Sequence, residues 1–264
     1  MPIHPTAIID PRAVLHPEAD IGPYVVIDGP VRIGARTRVQ AHAVLTGWTE
    51  IGTDNVIHAH ATIGDLPQDL AYVAAESYVR IGSRNVIREH AQIHRGTKPG
   101  SATVIGDGNF IMATAHIGHN SCVGNRVILA NGAMLGGYVE VEDDAFVSGN
   151  CVVHQFVRIG RLALMRGLSR ASRDVPPFCI MDGTHTVRAV NRIGLRRAGF
   201  TPEQIRGVQT AFGRLFRHGR NLRIALAELD AEPCSAEVRY LIDFIRASKR
   251  GVCFGPRREV VGDE

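Results

Sequence analysis

The sequence lacks any run of about 18 apolar residues, so no membrane-crossing helix is expected. Its first residues, MPIHPTAIID, carry no basic flank followed by an apolar stretch, and the expected location is the cytoplasm. The five cysteines are odd in number and scattered, with no Cys-x-x-Cys pair. That argues against a zinc ribbon or a redox pair and for reduced, mostly buried thiols. Aromatic residues make up only 6% of the chain, few of them interleaved with arginines. There is little sign of a base-stacking platform, and nucleic acid is not an expected partner.

What remains is a chain of 264 residues, 45% hydrophobic and 21% charged, long enough for a sizeable core. A six-residue clock dominates it. Stepping by six from Ile3 to Met165 visits 28 positions, and 25 of them are Ile, Leu, Val or Met, where a composition of 45% hydrophobic would give fewer than half. The misses are Asp69, Ala75 and Pro99, which mark two excursions near 69–80 and 99–104. Glycine often follows the aliphatic (Gly22, Gly34, Gly52, Gly106, Gly118, Gly136), and the fifth place is usually small (Ala43, Ala61, Ala91, Ala115, Ala133).

A period of six fits neither an α-helix nor a hairpin array. It fits a chain that turns a corner every six residues, each side a short strand with its aliphatic pointing inward and glycine where the turn needs a positive φ. The pattern resembles the hexapeptide-repeat left-handed parallel β-helix, and the resemblance implies the hand, three sides and about 18 residues per coil. Such a prism has flat faces and no interior cavity, so a site must lie on a face, in a groove or between chains.

After Val175 the clock stops at a Pro-Pro exit, DVPPF. GFTPEQIRGVQTAFGRLF then reads as a helix with Thr201 as N-cap, Pro202 at the first helical position and Ile205, Val208, Phe212, Leu215 and Phe216 at helical spacing. SAEVRYLIDFIRAS reads likewise. The expected organisation is therefore an all-β left-handed β-helix over 1–185 and a small α-helical C-terminal domain over 186–264. The second carries 15 Lys+Arg against 9 Asp+Glu, a basic surface suited to an acidic protein or a phosphorylated ligand.

Residues one coil apart stack at about 4.8 Å. Adding 18 to His119 gives Gly137 and then Gln155; adding 18 to Gly118 gives Gly136 and then His154. With the second excursion looped out, His94 falls one coil before Gly118. IHRGT, AHIGHN, LGGY and VHQF thus converge on one edge, with glycines that leave room for a ligand and excursions that could wall a groove.

QDLAY, IHRGT, AHIGHN, NRVILAN, VHQF and DVPP follow one another, over about 200 residues, in the order found in the UDP-N-acetylglucosamine O-acyltransferases, which start lipid A synthesis, and the whole chain resembles that family. The resemblance implies that His119 is the general base acting on the sugar 3-hydroxyl, a task suited to an imidazole with a pKa of about 6.5. It implies that Gly137 offers its N–H to the oxyanion. His116, His154 and Gln155 would hold the nucleotide sugar, with Gln68 and Asp69 reaching across a subunit boundary; His94 joins the sugar-binding set by its place in the same column. Asn191 and Arg197 would lie near the acyl carrier and the nucleotide phosphates, and Gly167 would leave space for a long acyl tail. A homotrimer is implied, with a 3-hydroxyacyl group brought on the phosphopantetheine of acyl carrier protein and no metal or prosthetic group.

Two residues depart from the family pattern. Asn120 stands where an Asp usually follows the base; it can accept a hydrogen bond from the imidazole but cannot balance its positive charge. Tyr138 stands where the family often has His. These departures keep open a 3-amino acceptor sugar and a binding protein without turnover. The imidazole cluster also admits a zinc site like that of the γ-class carbonic anhydrases, although QDLAY and the helical tail favour acyl transfer.

Overall fold

The computed structural model describes residues 3–217 and 221–255. Among these, the strands form three sheets of nine, eight and ten strands, in which successive coils pair in parallel. The register is the clock itself: Ile117 pairs Leu135 and Leu135 pairs Val153, 18 residues apart at each step. This is the left-handed β-helix expected. Its interior is one column of aliphatics, Ile57, Ile63, Ile87, Ile93, Ile111 and Ile117 among them, at 0–1% exposure. Each such side chain contributes roughly 1.5–3 kcal/mol by burial, which offsets the ordering of a coil made mostly of two-residue strands.

The corners are built differently from the sequence expectation. Glycines such as Gly22, Gly34, Gly106, Gly118 and Gly136, directly after the inward aliphatic, do not have positive φ. They are glycines because the next coil is too close: a Cβ on Gly118 would lie 2.8 Å from Leu135 O and 2.9 Å from Gly137 N. The left-handed conformation falls two residues later, mostly on residues with side chains, among them His42, His60, His90, Asn120 and Tyr138, at φ 58–60°. Each costs about 1–2 kcal/mol, and stacking of the corner side chains offsets part of that cost. Tyr24, His42, His60 and His90 form one such column, with ring centroids 5.0, 5.0 and 4.9 Å apart.

Inside the prism Asn55, Asn85 and Asn109 form a ladder. The Asn85 amide donates to Asn55 Oδ1 at 3.0 Å and the Asn109 amide to Asn85 Oδ1 at 2.9 Å, while Asn109 Oδ1 accepts from Val127 N at 2.7 Å. All three residues are buried, and the ladder satisfies backbone N–H groups where the coils turn.

Both excursions leave the prism at the same corner. Ile81 pairs Ile51, an offset of 30, so the first inserts twelve residues between the strands Thr62–Asp65 and Tyr78–Ile81. Ile105 pairs Ile81, an offset of 24, so the second inserts six between Gln92–His94 and Ala102–Ile105. The second loop is thus 95–101, and residues 102–104 are strand; an insertion of one full step keeps the clock in phase and hides its edges.

The prism also runs past Pro177. The strand Cys179–Asp182 adds to the ten-stranded sheet in parallel, and Thr186–Val190 closes that sheet antiparallel, beyond the boundary expected at 185. Among the described residues four helices follow: α1 (Arg192–Arg197), α2 (Pro202–Phe216), α3 (Leu222–Asp230) and α4 (Ala236–Arg246). Thr201 caps α2 with a full capping box through Gln204. The chain then returns to the prism, Val252 bridging Asp174, and the buried Asp174 carboxylate accepts from Arg158 N and Ser248 Oγ at 2.9 and 2.7 Å. Cys151, Cys179 and Cys253 are buried and Cys122 is exposed. No helix among the described residues is long and apolar enough to cross a membrane.

Candidate active site

The corner from which both excursions emerge also carries His119, Gly137 and Gln155 on successive coils. One adjoining face bears Gln92, His116, Met134, Val152 and Arg170 on its outer side; it is called the histidine face below. The other adjoining face is the eight-stranded sheet, which turns charged residues such as Glu50, Arg80, Glu140 and Arg158 outward. Looping out at this corner brings the excursions beside residues far along the chain.

His119 is held from three sides. Its Nδ1 lies 3.0 Å from Asn120 Oδ1, and its ring meets the Tyr138 ring edge-on at 5.4 Å. Beneath it is Gly137, where a Cβ would lie 2.4 Å from Cε1 and 2.5 Å from Nε2, so the imidazole rests directly on bare backbone. The Gly137 N–H has no acceptor among the described residues. Nε2 faces the first excursion, with Asp69 Oδ2 at 4.0 Å. An imidazole with one nitrogen anchored and the other open, a carboxylate opposite and an unpaired N–H alongside can accept a proton and hold a developing oxyanion.

Asp69 lies on the same chain as this His119: the twelve inserted residues turn the QDLAY loop back over its own corner. Gln68 beside it is exposed. The loop is pinned by His94, only 6% exposed, whose Nδ1 lies 2.6 Å from Leu66 O. A carbonyl only accepts, so Nδ1 carries the proton and the buried, unpartnered Nε2 presents a lone pair. His94 stacks obliquely on His116 at 5.0 Å. Burial, then the neighbouring imidazoles of His94 and His119, lower the His116 pKa to about 4, so it stays neutral at ordinary pH.

Two coils on, His154 and Gln155 are exposed, with His154 Nδ1 3.3 Å from Arg250 Nη2. Gly167 lies on the opposite edge of the histidine face, exposed, with nothing nearer to its Cβ position than Gly149 O at 3.6 Å. Asn191 and Arg197 are not gathered at this corner. They line a groove of about 810 Å³ on the ten-stranded sheet, the face opposite the corner, with Arg126, Phe146, Leu164 and Arg192. Asn191 is spoken for within its chain: it caps α1 by accepting from Gly194 N and donates to Leu162 O.

Sequence reasoning passed over Thr97, Thr103 and Arg250. Thr97 contacts Asn120 and Tyr138. The buried Thr103 hydroxyl donates to His94 O at 2.6 Å and accepts from Asn120 N at 2.8 Å, tying two histidine-bearing coils together. No signal in the sequence marked Thr103, since its place in the six-residue step also holds the buried Thr37, Thr49 and Ser121. No group of three or more His, Cys, Asp or Glu side chains among the described residues is arranged to hold a metal ion.

A left-handed prism of hexapeptide steps with an imidazole site at one corner and a helical tail defines a hexapeptide-repeat transferase. Residues 102–137 match the model of bacterial transferase hexapeptide repeats, and residues 174–253 match that of the second domain of UDP N-acetylglucosamine O-acyltransferase. The chain is 44% identical to an acyl-[acyl-carrier-protein]–UDP-N-acetylglucosamine O-acyltransferase of Thermodesulfovibrio yellowstonii, over 95% of this chain and 98% of that protein. It superimposes on the UDP-N-acetylglucosamine acyltransferase of Francisella novicida with a TM-score of 0.92 at 34% identity, covering 96% of this chain and 94% of that one. For the Bacteroides fragilis enzyme the TM-score is 0.91 at 38% identity, over 95% and 99%. The chain belongs to the UDP-N-acetylglucosamine O-acyltransferase family.

Proposed function

We propose that the protein moves a 3-hydroxyacyl group from acyl carrier protein to the 3-hydroxyl of UDP-N-acetylglucosamine, the opening step of lipid A synthesis, in the cytoplasm. The observation that carries this reading is the stacking of His119, its Nε2 open, on Gly137 with its unpaired N–H. His119 Nε2 takes the hydroxyl proton as the oxygen attacks the thioester carbonyl. The Gly137 N–H supports the negative charge of the tetrahedral intermediate. Collapse forms the ester and expels the phosphopantetheine thiolate, which takes the proton back from the imidazolium. Asp69, at 4.0 Å, supplies the nearest negative charge to the imidazolium while it exists.

Neutral His116, His94 with its free lone pair, Gln68, His154 and Gln155 surround the space where the sugar would bind. The row Phe110, Ile128, Phe146, Leu164 and Ile180 on one face and the exposed Met134 and Val152 on the histidine face support assembly. The two rows differ, so a contact between them is head-to-tail, and the homotrimer that the family resemblance implies is the ring such a contact would close. In that ring Asn191 and Arg197 of one chain meet the histidine face of the next, near the nucleotide phosphates and the acyl carrier, and Gly167 lies along the path of the acyl tail.

The absence of a carboxylate at Nδ1 favours a second acceptor, a nucleotide sugar with an amine at C3, because a free amine asks less of the base. Purified protein incubated with UDP-N-acetylglucosamine or its 3-amino analogue, and a ladder of 3-hydroxyacyl carrier proteins, separates the readings by product mass. An ester product supports the first and an amide product from the analogue alone the second. No product with any pair refutes acyl transfer.

A further inference from the structure

We propose that Thr97 and Tyr138 are positioning residues that fix the tautomer of the His119 imidazole through Asn120. The inference rests on the reading of His119 as the base. In this chain the residue contacting Nδ1 is an amide, and an amide has two faces. Turned one way it offers Oδ1 to the ring; turned the other way it offers Nδ2, which would force the proton onto Nε2 and leave no lone pair for the substrate hydroxyl. A carboxylate cannot make that error.

The structure supplies the missing constraint. Asn120 Oδ1 accepts from Thr97 N at 3.0 Å; a backbone N–H can only donate, so it favours oxygen at that position, and the two hydroxyls add to the preference. The same oxygen accepts from Thr97 Oγ1 at 2.9 Å and meets His119 Nδ1 at 3.0 Å. His119 Nδ1 therefore carries the proton and Nε2 the lone pair. Thr97 has only one hydroxyl proton, already given to Asn120, so at 3.1 Å Tyr138 must be its donor. That bond occupies one of the two lone pairs on Thr97 Oγ1 and leaves its proton directed at Asn120, where a turned amide would present Nδ2, which cannot accept it. The chain of donors runs Tyr138 to Thr97 to Asn120, and its end condition is a base with its lone pair facing Asp69 and the substrate.

The second excursion is what makes this arrangement possible. By leaving the prism at the corner one coil before His119, it carries Thr97 to a residue 23 positions away in sequence, and Tyr138 arrives from the coil after. Tyr138 also stacks on Phe156 at 4.9 Å, which holds its hydroxyl in place.

Tyr138→Phe keeps both ring contacts and removes only the donor; Thr97→Val removes the hydroxyl and keeps the N–H. Each is to be made in the native chain and in Asn120→Asp, where a carboxylate has no wrong face. Each single substitution is expected to lower kcat about five-fold, the worth of one hydrogen bond, with KM unchanged. In the Asn120→Asp background the loss should fall below about two-fold. Nitrogen-15 spectra of labelled His119 give a readout independent of turnover: Nδ1–H in the native protein, a mixture of tautomers in Tyr138→Phe and Thr97→Val. Equal losses in both backgrounds, or an unchanged Nδ1–H pattern in the variants, would overturn the proposal. A native protein with the Nδ1–H pattern and no turnover would instead contradict the proposed reaction and leave the positioning intact.

Discussion

Replacing Gly137 with Ala tests the shelf beneath the base. The added methyl would stand 2.4 Å from His119 Cε1, 2.5 Å from Nε2 and 3.0 Å from Nδ1. Carbon contacts are comfortable at about 3.5–4.0 Å, so the ring must retreat by roughly 1 Å or more. It cannot do so while keeping its 3.0 Å bond to Asn120, and the Tyr138 ring blocks one side. A misplacement of about 1 Å at a reacting group costs on the order of 100-fold in rate. Alanine retains the backbone N–H, so the oxyanion donor survives and the loss isolates the position of the base. The clash is with the end of a side chain, so the stability cost is about 1–3 kcal/mol, a fall in Tm of several degrees. Initial rates across acceptor concentrations and a thermal melt should therefore show kcat/KM down by about 100-fold in a folded protein. A variant as fast as the native enzyme would refute the stacked geometry.

Two further outcomes follow, one from the histidine face and one from the interior. His116 has a pKa of about 4, below the roughly 6.5 of an unfolded histidine, so the unfolded chain binds the extra proton first. Its contribution makes stability fall as pH drops from about 6.5 to 4 and level off below; chemical denaturation of His116→Asn at several pH values should show a shallower fall over that window, and an unchanged slope would contradict the assignment. Asn85→Ala removes the acceptor for the N–H and the side-chain amide of Asn109, leaving two buried donors unpaired. At about 1–3 kcal/mol each, a loss of roughly 2–6 kcal/mol is expected in urea melts, and a loss under 1 kcal/mol would mean that the ladder carries little.

The prism was legible because three sides and a narrow interior admit one aliphatic per step; Ile57, Ile87 and Ile117 have no other place to go. The stacking of His119, Gly137 and Gln155 followed from the same arithmetic. The reason for the corner glycines was not legible, since spacing locates Gly118 without revealing that Leu135 O fills the room of its Cβ. The approach of Asp69 to His119 within one chain was hidden as well, since it depends on the loop folding back at its own corner. Asn191 shows the opposite limit. Its resemblance to a ligand-side residue said nothing of its work as the cap of α1. Thr97 lay in a stretch singled out for its histidine, and only the loop geometry brings it to Asn120.

The most direct test of the account is acyl transfer to UDP-N-acetylglucosamine by the native protein beside His119→Ala, each confirmed folded by its melt. General base catalysis contributes about 10²–10⁴-fold, so the variant should retain no more than about one hundredth of the native rate. A folded His119→Ala protein that transfers the acyl group at the native rate would contradict the site proposed at this corner of the prism.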